Sequence, residues 1–364
     1  MGDIQNEVVK TGMPKSVPYI IGNEAAERFS FYGIRSIMST FLVAQFFNPA
    51  HNPLLQEVAE AKSNELVHLF VFVAYFMPLV GGILADWFFG KYKVIFYISI
   101  VYALGNLTLA LSTHNLTLFS IGLVIIAVAA GGIKSCVSAN VGDQFDKSNE
   151  HLMSKMYGWF YFTINSGSVL STLAIPVVYK YWGASWAFGI PGILMCIATV
   201  VFWMGRKKYV RVKPSGIKRE NFIFISWWAL LEAFQPKNGH PLWERLSKRR
   251  NVSMEAIDGI QAVYRILMVF AFTPVFWALW DQNLSEWVLQ ATKLDLHVFG
   301  YQLLPEQVQT FNPLFLVSLI PVLTYWVFPF FEKIGLKPTP LRKIGAGLFL
   351  IGVTFVIIAL IQES

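Results

Sequence analysis

The chain has 364 residues, 55% of them hydrophobic and only 14% charged, whereas a soluble domain is nearer half apolar and about a quarter charged. Apolar stretches of about twenty residues recur along most of its length, which excludes an ordinary soluble domain and predicts a polytopic helical membrane protein; a β-barrel would show short alternating segments instead. The net charge of +7 does not require nucleic acid, because basic residues also collect in the cytoplasmic loops of membrane proteins.

The first sixteen residues are polar and lead into a long apolar segment that itself carries ionisable groups, so no cleavable signal peptide is expected. Asn6 stands where a myristoylation signal needs Ser or Thr, so Gly2 is not expected to be acylated. Nine spans are predicted, near residues 18–47, 64–88, 93–113, 116–141, 155–180, 185–205, 258–291, 308–331 and 341–361. They divide the chain into a cytoplasmic tail over 1–17, a six-helix bundle over 18–205, a basic cytoplasmic linker over 206–257 and a partial C-terminal bundle over 258–364.

With the N-terminus in the cytoplasm, the inside segments hold Lys10, Lys15, Lys91, Lys93, Lys147, Lys155, Lys333, Lys337, Arg342 and Lys343, besides the linker. The outside segments and their edges hold only Lys62, Lys180 and Lys293. That asymmetry fixes the orientation and absorbs the positive charge. The linker is basic from Arg206 to Arg250, with Lys218, Arg219 and Lys237 among its cations. Its one apolar run, Phe222–Phe234, is too short to span; it either lies on the membrane surface or partly covers the cytoplasmic face. Cys136 and Cys196 both fall in apolar spans, where buried thiols packing as small hydrophobes are expected rather than a disulfide or a metal site.

Charges inside a span are costly and mark pathways. The first span carries Glu24, Glu27, Arg28 and Arg35. At about 100° per residue these four and Tyr32 fall within one arc of roughly 140°, and Glu24 and Arg28 have the i,i+4 spacing of a salt bridge. Lys134 lies in the fourth span after Gly131 and Gly132, and Asp281 in the seventh among Trp277, Trp280 and Trp287. His68 lies near the outer end of the second span, where an incidental and a proton-handling role are equally open. Tyr75, Asn165 and Asn312 are uncharged polar residues in spans, and helix packing alone could explain each. There is no nucleophile–base arrangement, phosphate loop or metal-ligand spacing, so an enzyme is not expected.

The run Glu24-Ala25-Ala26-Glu27-Arg28-Phe29-Ser30-Phe31-Tyr32-Gly33 resembles the first signature of the proton-dependent oligopeptide transporters. Phe160–Val169 (FYFTINSGSV) resembles the second, and Gly81-Gly82-Ile83-Leu84-Ala85-Asp86 with Gly90 and Lys91 resembles the loop motif of the wider major facilitator superfamily. Phe276–Gln282 and Asn312-Pro313-Leu314 resemble the family's seventh and eighth helices. The resemblance implies an all-α integral membrane bundle of the major facilitator kind, two halves of six helices around a midplane site, with about nine of the twelve helices present here. The chain is therefore expected to be a fragment or a truncated product.

It further implies proton-coupled symport of di- and tripeptides in a bacterial inner membrane, with the proton as coupling ion and no cofactor. Proton handling falls to Glu24, Glu27, Arg28, Asp281 and His68. The peptide would be held by Arg35, Lys134, Tyr32, Tyr75, Asn165, Asn312 and Trp287, and Arg35 would pair with Asp281 at the outer gate. Phe31, Ser135 and Asp281 depart from the usual residues, and the linker is expected to lack the two extra helices of many bacterial relatives. Carriage of nitrate or another small anion, or a non-transporting remnant, are the alternatives; the intact Glu24/Glu27/Arg28 element favours peptides.

Overall fold

The computed structural model describes residues 12–48, 55–217, 220–234, 241–298 and 300–363. Gly2, Asn6, Lys10, Lys218, Arg219 and Lys237 lie outside them. Helix α1, Val17–Gln45, begins beside a proline whose missing N–H is harmless in a first turn. Helix α2, Gln56–Ile83, runs on as a wider π-helical coil over Leu84–Phe89 until Gly90, at φ +80°, ends it. Helices α3, Lys91–Leu111, and α4, Leu116–Gly142, follow, the second capped by the Asn115 side chain accepting from the Leu118 N–H at 3.0 Å. Helices α5, Met153–Trp182, and α6, Ala184–Met204, are joined by Gly183 at φ +83°.

Among the described residues seven helical stretches are long and apolar enough to cross a bilayer, from Gln56–Phe89 through Leu341–Leu360, and a bent pair, Met254–Phe270 with Thr273–Ala291, qualifies as an eighth. Helix α1 has 29 residues, about 43 Å at 1.5 Å per residue, and its four charges keep it from reading as purely apolar. The expected nine spans are thus an approximate count, made of these seven, the bent pair and α1.

Two boundaries moved. The second span starts at Gln56 rather than near 64, because Ala59 and Ser63 are buried and the Ser63 hydroxyl donates to the Ser39 carbonyl at 3.0 Å. A polar stretch therefore continues the helix. The seventh span is not one helix: α9, Met254–Phe270, ends and α10, Thr273–Trp280, restarts with a proline in its first turn.

The chain forms two compact units. Unit 1 comprises Met1–Pro214 and Gln282–Thr339. In it α1 packs against α2, α4, α5 and α6, while α3 fills the space between α4 and α6. Its core is built from Ile34, Phe41, Tyr102, Phe119, Phe188 and Phe202, all buried. This unit also holds α11, Glu286–Ala291, a two-residue hairpin pairing His297–Val298 with Tyr301–Gln302, α12, Phe311–Val322, and α13, Phe328–Lys333.

Unit 2 comprises Ser215–Asp281 and Pro340–Ser364. The linker here is not featureless: α7, Phe222–Ala233, and α8, Leu242–Arg250, pack with α9 around Ile225, Leu246, Val252 and Ile257. At 12 residues, or about 18 Å, α7 is too short to cross a bilayer, as its composition predicts. Glu232, buried in this small core, faces Arg245 at 3.5 Å and Arg249 at 3.0 Å. Helix α10 lies against α14, Pro340–Glu363.

The two cysteines differ. Cys136 is buried, but Cys196 is exposed, which corrects the expectation of two buried thiols. It shares the outward face of α6 with Ile193, Ile197 and Val200, a face that an apolar span presents to lipid.

Candidate functional site

The charged stripe of α1 points inward. Glu24, Glu27, Arg28 and Arg35 are 3%, 0%, 4% and 2% exposed, and burying an ion costs several kcal/mol unless it is paired. Arg28 supplies that pairing for both acids. Its Nε lies 3.0 Å from Glu24 Oε1, one helical turn back, and its guanidinium closes on Glu27 Oε2 from the other side. The i,i+4 spacing puts the first acid in reach, and the long fork of arginine allows the second.

Phe31, which replaces a tyrosine of the usual motif, is the platform under this network. The Arg28 guanidinium lies 5.7 Å and that of Arg35 5.1 Å from its ring centre, and the ring stacks on Phe70 at 5.6 Å. A hydroxyl is not needed for that role. Replacing Phe31 with Leu keeps most of the volume but removes both cation–π contacts. Thermal unfolding in detergent is expected to show a loss of about 1–3 kcal/mol.

Helix α4 brings a third cation. The Lys134 ammonium sits 4.3 Å from the centre of the Tyr75 ring on α2 and lies within electrostatic reach of Glu24, Glu27, Arg28 and Arg35. The two helices meet this closely because small residues face each other. A Cβ on Gly81 would fall 2.4 Å from the Gly132 carbonyl oxygen, and one on Gly131 would fall 2.6 Å from that of Ala74. The Ser135 hydroxyl, where a proline is usual, donates to the Pro78 carbonyl at 2.9 Å and ties α4 to α2 beside the lysine.

Tyr32 stands edge-on to Phe31 at 5.7 Å and feels Arg28, Arg35 and Tyr75. The structure thus brings Glu24, Glu27, Arg28, Arg35, Lys134, Tyr32 and Tyr75 into one cluster. Three cations and two carboxylates share this one buried cluster.

Other predicted residues are placed differently. Asn165 is buried on α5, but its amide donates back to the Tyr161 carbonyl at 2.8 Å. His68 lies about two helical turns, roughly 10 Å, from Tyr75 along α2, with its Nε2 at 3.2 Å from the Ser285 hydroxyl. Trp287 on α11 and Asn312 on α12 are half-buried. Asp281 is buried and belongs to unit 2. Away from the cluster, α1, α2 and α5 are tied to the segment 286–310. The Thr40 hydroxyl donates to Glu306 at 2.6 Å, the Asn64 amide to Glu286, and the Thr310 hydroxyl to Thr172 at 2.9 Å.

Sequence reasoning missed a polar seam on α3. Tyr102 is fully buried with its phenol beside Glu27 and Ser30. The Ser30 hydroxyl donates to Asn106 Oδ1 at 3.3 Å, and the Asn106 amide donates to the Tyr102 carbonyl at 3.0 Å. An amide in the middle of an apolar span was the available signal.

Comparison with known proteins identifies the family. The model of the POT family matches residues 92–364, so the chain belongs to the POT family. Peptide transporter family 2 of Caenorhabditis elegans is 35% identical over 96% of this chain and 47% of its own length. Solute carrier family 15 member 1 of Oryctolagus cuniculus is 34% identical over 96% of this chain and 52% of its own. Among solved structures, the POT family transporter PepTSo superposes with a TM-score of 0.87 at 36% identity, over 97% of this chain and 77% of that one. The auto-inhibited POT family peptide transporter gives 0.86 at 34% identity, over 96% and 76%. The chain spans about half the length of the curated relatives it matches. The fold is an all-α membrane bundle of the major facilitator kind, and at the level of the family these relatives are transporters rather than enzymes.

Proposed function

We propose that this chain carries the proton-handling and peptide-gripping machinery of a symporter for di- and tripeptides that works by alternating access. The observation that carries the reading is the buried Glu24–Arg28–Glu27 triad with Lys134 and Arg35 in electrostatic reach, in a chain similar to proteins named peptide transporters. The basic loops and linker support a cytoplasmic N-terminus.

A dipeptide is a zwitterion whose constant parts are its two charged ends and its amide. A promiscuous site grips those ends and leaves aromatic-lined room for the side chains. Arg35 and Lys134 are proposed as the partners of the peptide's carboxylate, since both are cations held in this cluster. Tyr32, Tyr75, Asn165, Asn312 and Trp287 are proposed to line the rest. Protonating Glu24 or Glu27 makes the cluster one charge more positive, so proton and peptide carboxylate favour each other's binding. That mutual effect is reciprocal by linkage. It also frees Arg28 from one acid and so biases the rocking of one half against the other. Asp281 is proposed as a further proton acceptor and as the partner that Arg35 takes at the outer gate, with His68 in a subsidiary role.

The test is uptake of a labelled dipeptide into proteoliposomes containing this chain, under an inward proton gradient. Accumulation should follow the gradient, and unlabelled dialanine should compete while nitrate does not. Competition by nitrate and none by dialanine would move the reading to a small-anion carrier.

A further inference from the structure

A second cluster of cations lies in unit 1, apart from the α1 network. A cavity of about 210 Å³ opens where the chain leaves α6 and passes over the start of α3, and Lys91, Lys93, Asn140, Arg211 and Lys213 line it. No carboxylate is in its lining. One of these cations, Lys91, is paired with Asp143 at 2.7 Å.

The site is built rather than a chance gathering of lysines. The Gln144 side chain grips the backbone of Val210 in both directions, donating to its carbonyl at 3.1 Å and accepting from its N–H at 2.9 Å. The same amide donates to the Asn140 carbonyl at 2.8 Å. Arg211 lies over the Tyr92 ring at 4.0 Å and donates to the Arg206 carbonyl at 2.6 Å. The segment bearing Arg211 and Lys213 is therefore fixed against α3 and α4.

Two further features point to an anion. Gly90 and Lys91 line the cavity, so the N-terminal end of the 21-residue α3 opens on it, with its unsatisfied N–H groups and positive dipole end. Asn140 is 2% exposed, yet its Nδ2 has no hydrogen-bond partner. A buried donor left unmade is costly, and an acceptor seated in the cavity would satisfy it. Four cations, a helix N-terminus and an amide donor suit a group with several oxygens and more than one charge. The volume exceeds what a halide needs.

We propose that this cavity binds a phosphate-type anion, whether the phosphate of an anionic lipid headgroup or a free phosphate. The site stands apart from the transport reading, since none of its lining residues belongs to the α1 cluster. Basic pockets at the cytoplasmic ends of transmembrane helices are suited to anionic headgroups.

The test uses the full chain in detergent. Native mass spectra would be recorded after adding phosphatidylglycerol or phosphatidylcholine, and thermal unfolding would be followed while inorganic phosphate is titrated. Wild type should retain phosphatidylglycerol over phosphatidylcholine, or gain thermal stability with phosphate. The first result identifies a lipid headgroup and the second a free anion. The double variant Lys93→Gln/Lys213→Gln should weaken that binding roughly thirty-fold, since each basic residue near an anionic surface is worth about a factor of five. Both lysines are exposed, so the unliganded unfolding midpoint should not move. Lys248→Gln/Arg250→Gln on α8 should bind like wild type. Binding of neither probe, or binding equally strong in the Lys93/Lys213 variant, would overturn the proposal.

Discussion

Replacing Arg28 with Leu should cost about 3–5 kcal/mol of stability, because it strands two buried carboxylates without a counter-ion. Both acids are at most 3% exposed and both are served by the one guanidinium. Burial, not distance, sets the size of this effect. Lys248 and Glu244 lie 2.7 Å apart on α8, but they are 63% and 43% exposed. Lys248→Gln should therefore change stability by less than about 1 kcal/mol. Adding Glu24→Gln and Glu27→Gln to Arg28→Leu should recover much of the loss, since the two carboxylates stranded by the loss of Arg28 are then neutral. Thermal unfolding of the single and triple variants in one detergent reads this directly. A triple variant no more stable than Arg28→Leu would mean that arginine packing, rather than charge, holds the network.

The second large effect is steric. A Leu at Gly81 has no space, because its Cβ alone would fall 2.4 Å from the oxygen and 2.7 Å from the Cα of Gly132. Backbone cannot retreat as a flexible side-chain tip can, so α2 and α4 must part. Gly81→Ala should already cost about 1–3 kcal/mol. Gly81→Leu should leave little folded protein in a monodisperse size-exclusion peak. The adjacent Gly82 is a built-in control: its nearest neighbour is the Ser135 hydroxyl at 3.8 Å. Gly82→Ala should be neutral or stabilising by up to about 1 kcal/mol, through helix propensity alone. Parting the helices would also draw Lys134 away from Tyr75, so Gly81→Ala is expected to impair the cluster as well as the fold.

The α1 network was legible because its information is local. Glu24, Glu27, Arg28, Tyr32 and Arg35 share one helix, and 3.6 residues per turn is enough to put them on one face. The pairing of Lys134 with Tyr75 was not legible, because it depends on how closely two helices approach, and that is set by glycines whose partners cannot be known from spacing. Tyr102 and Asn106 were missed for the same reason: Asn106 interrupts the apolar run of α3 in the sequence, but only the contact of α3 with α1 turns Tyr102 into a neighbour of Glu27. Polar residues also misled. The start of α2 is hydrophilic, yet Ser63 and Asn64 are buried by hydrogen bonds to other elements. The break in the seventh span follows from Pro274, which was visible in the sequence but outweighed by the apolar run around it. In the linker, Glu232 meets Arg245 and Arg249 beside the small apolar core of α7, α8 and α9, a tertiary pairing within a stretch whose composition reads simply as basic.

The proposed symport depends on exchange between proton and ion pair at the buried acids and bases of α1, beside a lysine from α4. Proton-driven accumulation of a labelled dipeptide, measured beside gradient-free counterflow of the same dipeptide for wild type and Glu24→Gln, isolates that exchange. Glu24→Gln should lose accumulation while keeping counterflow, because the site still grips the peptide but can no longer be charged and discharged at this position. Undiminished accumulation in Glu24→Gln would contradict the account.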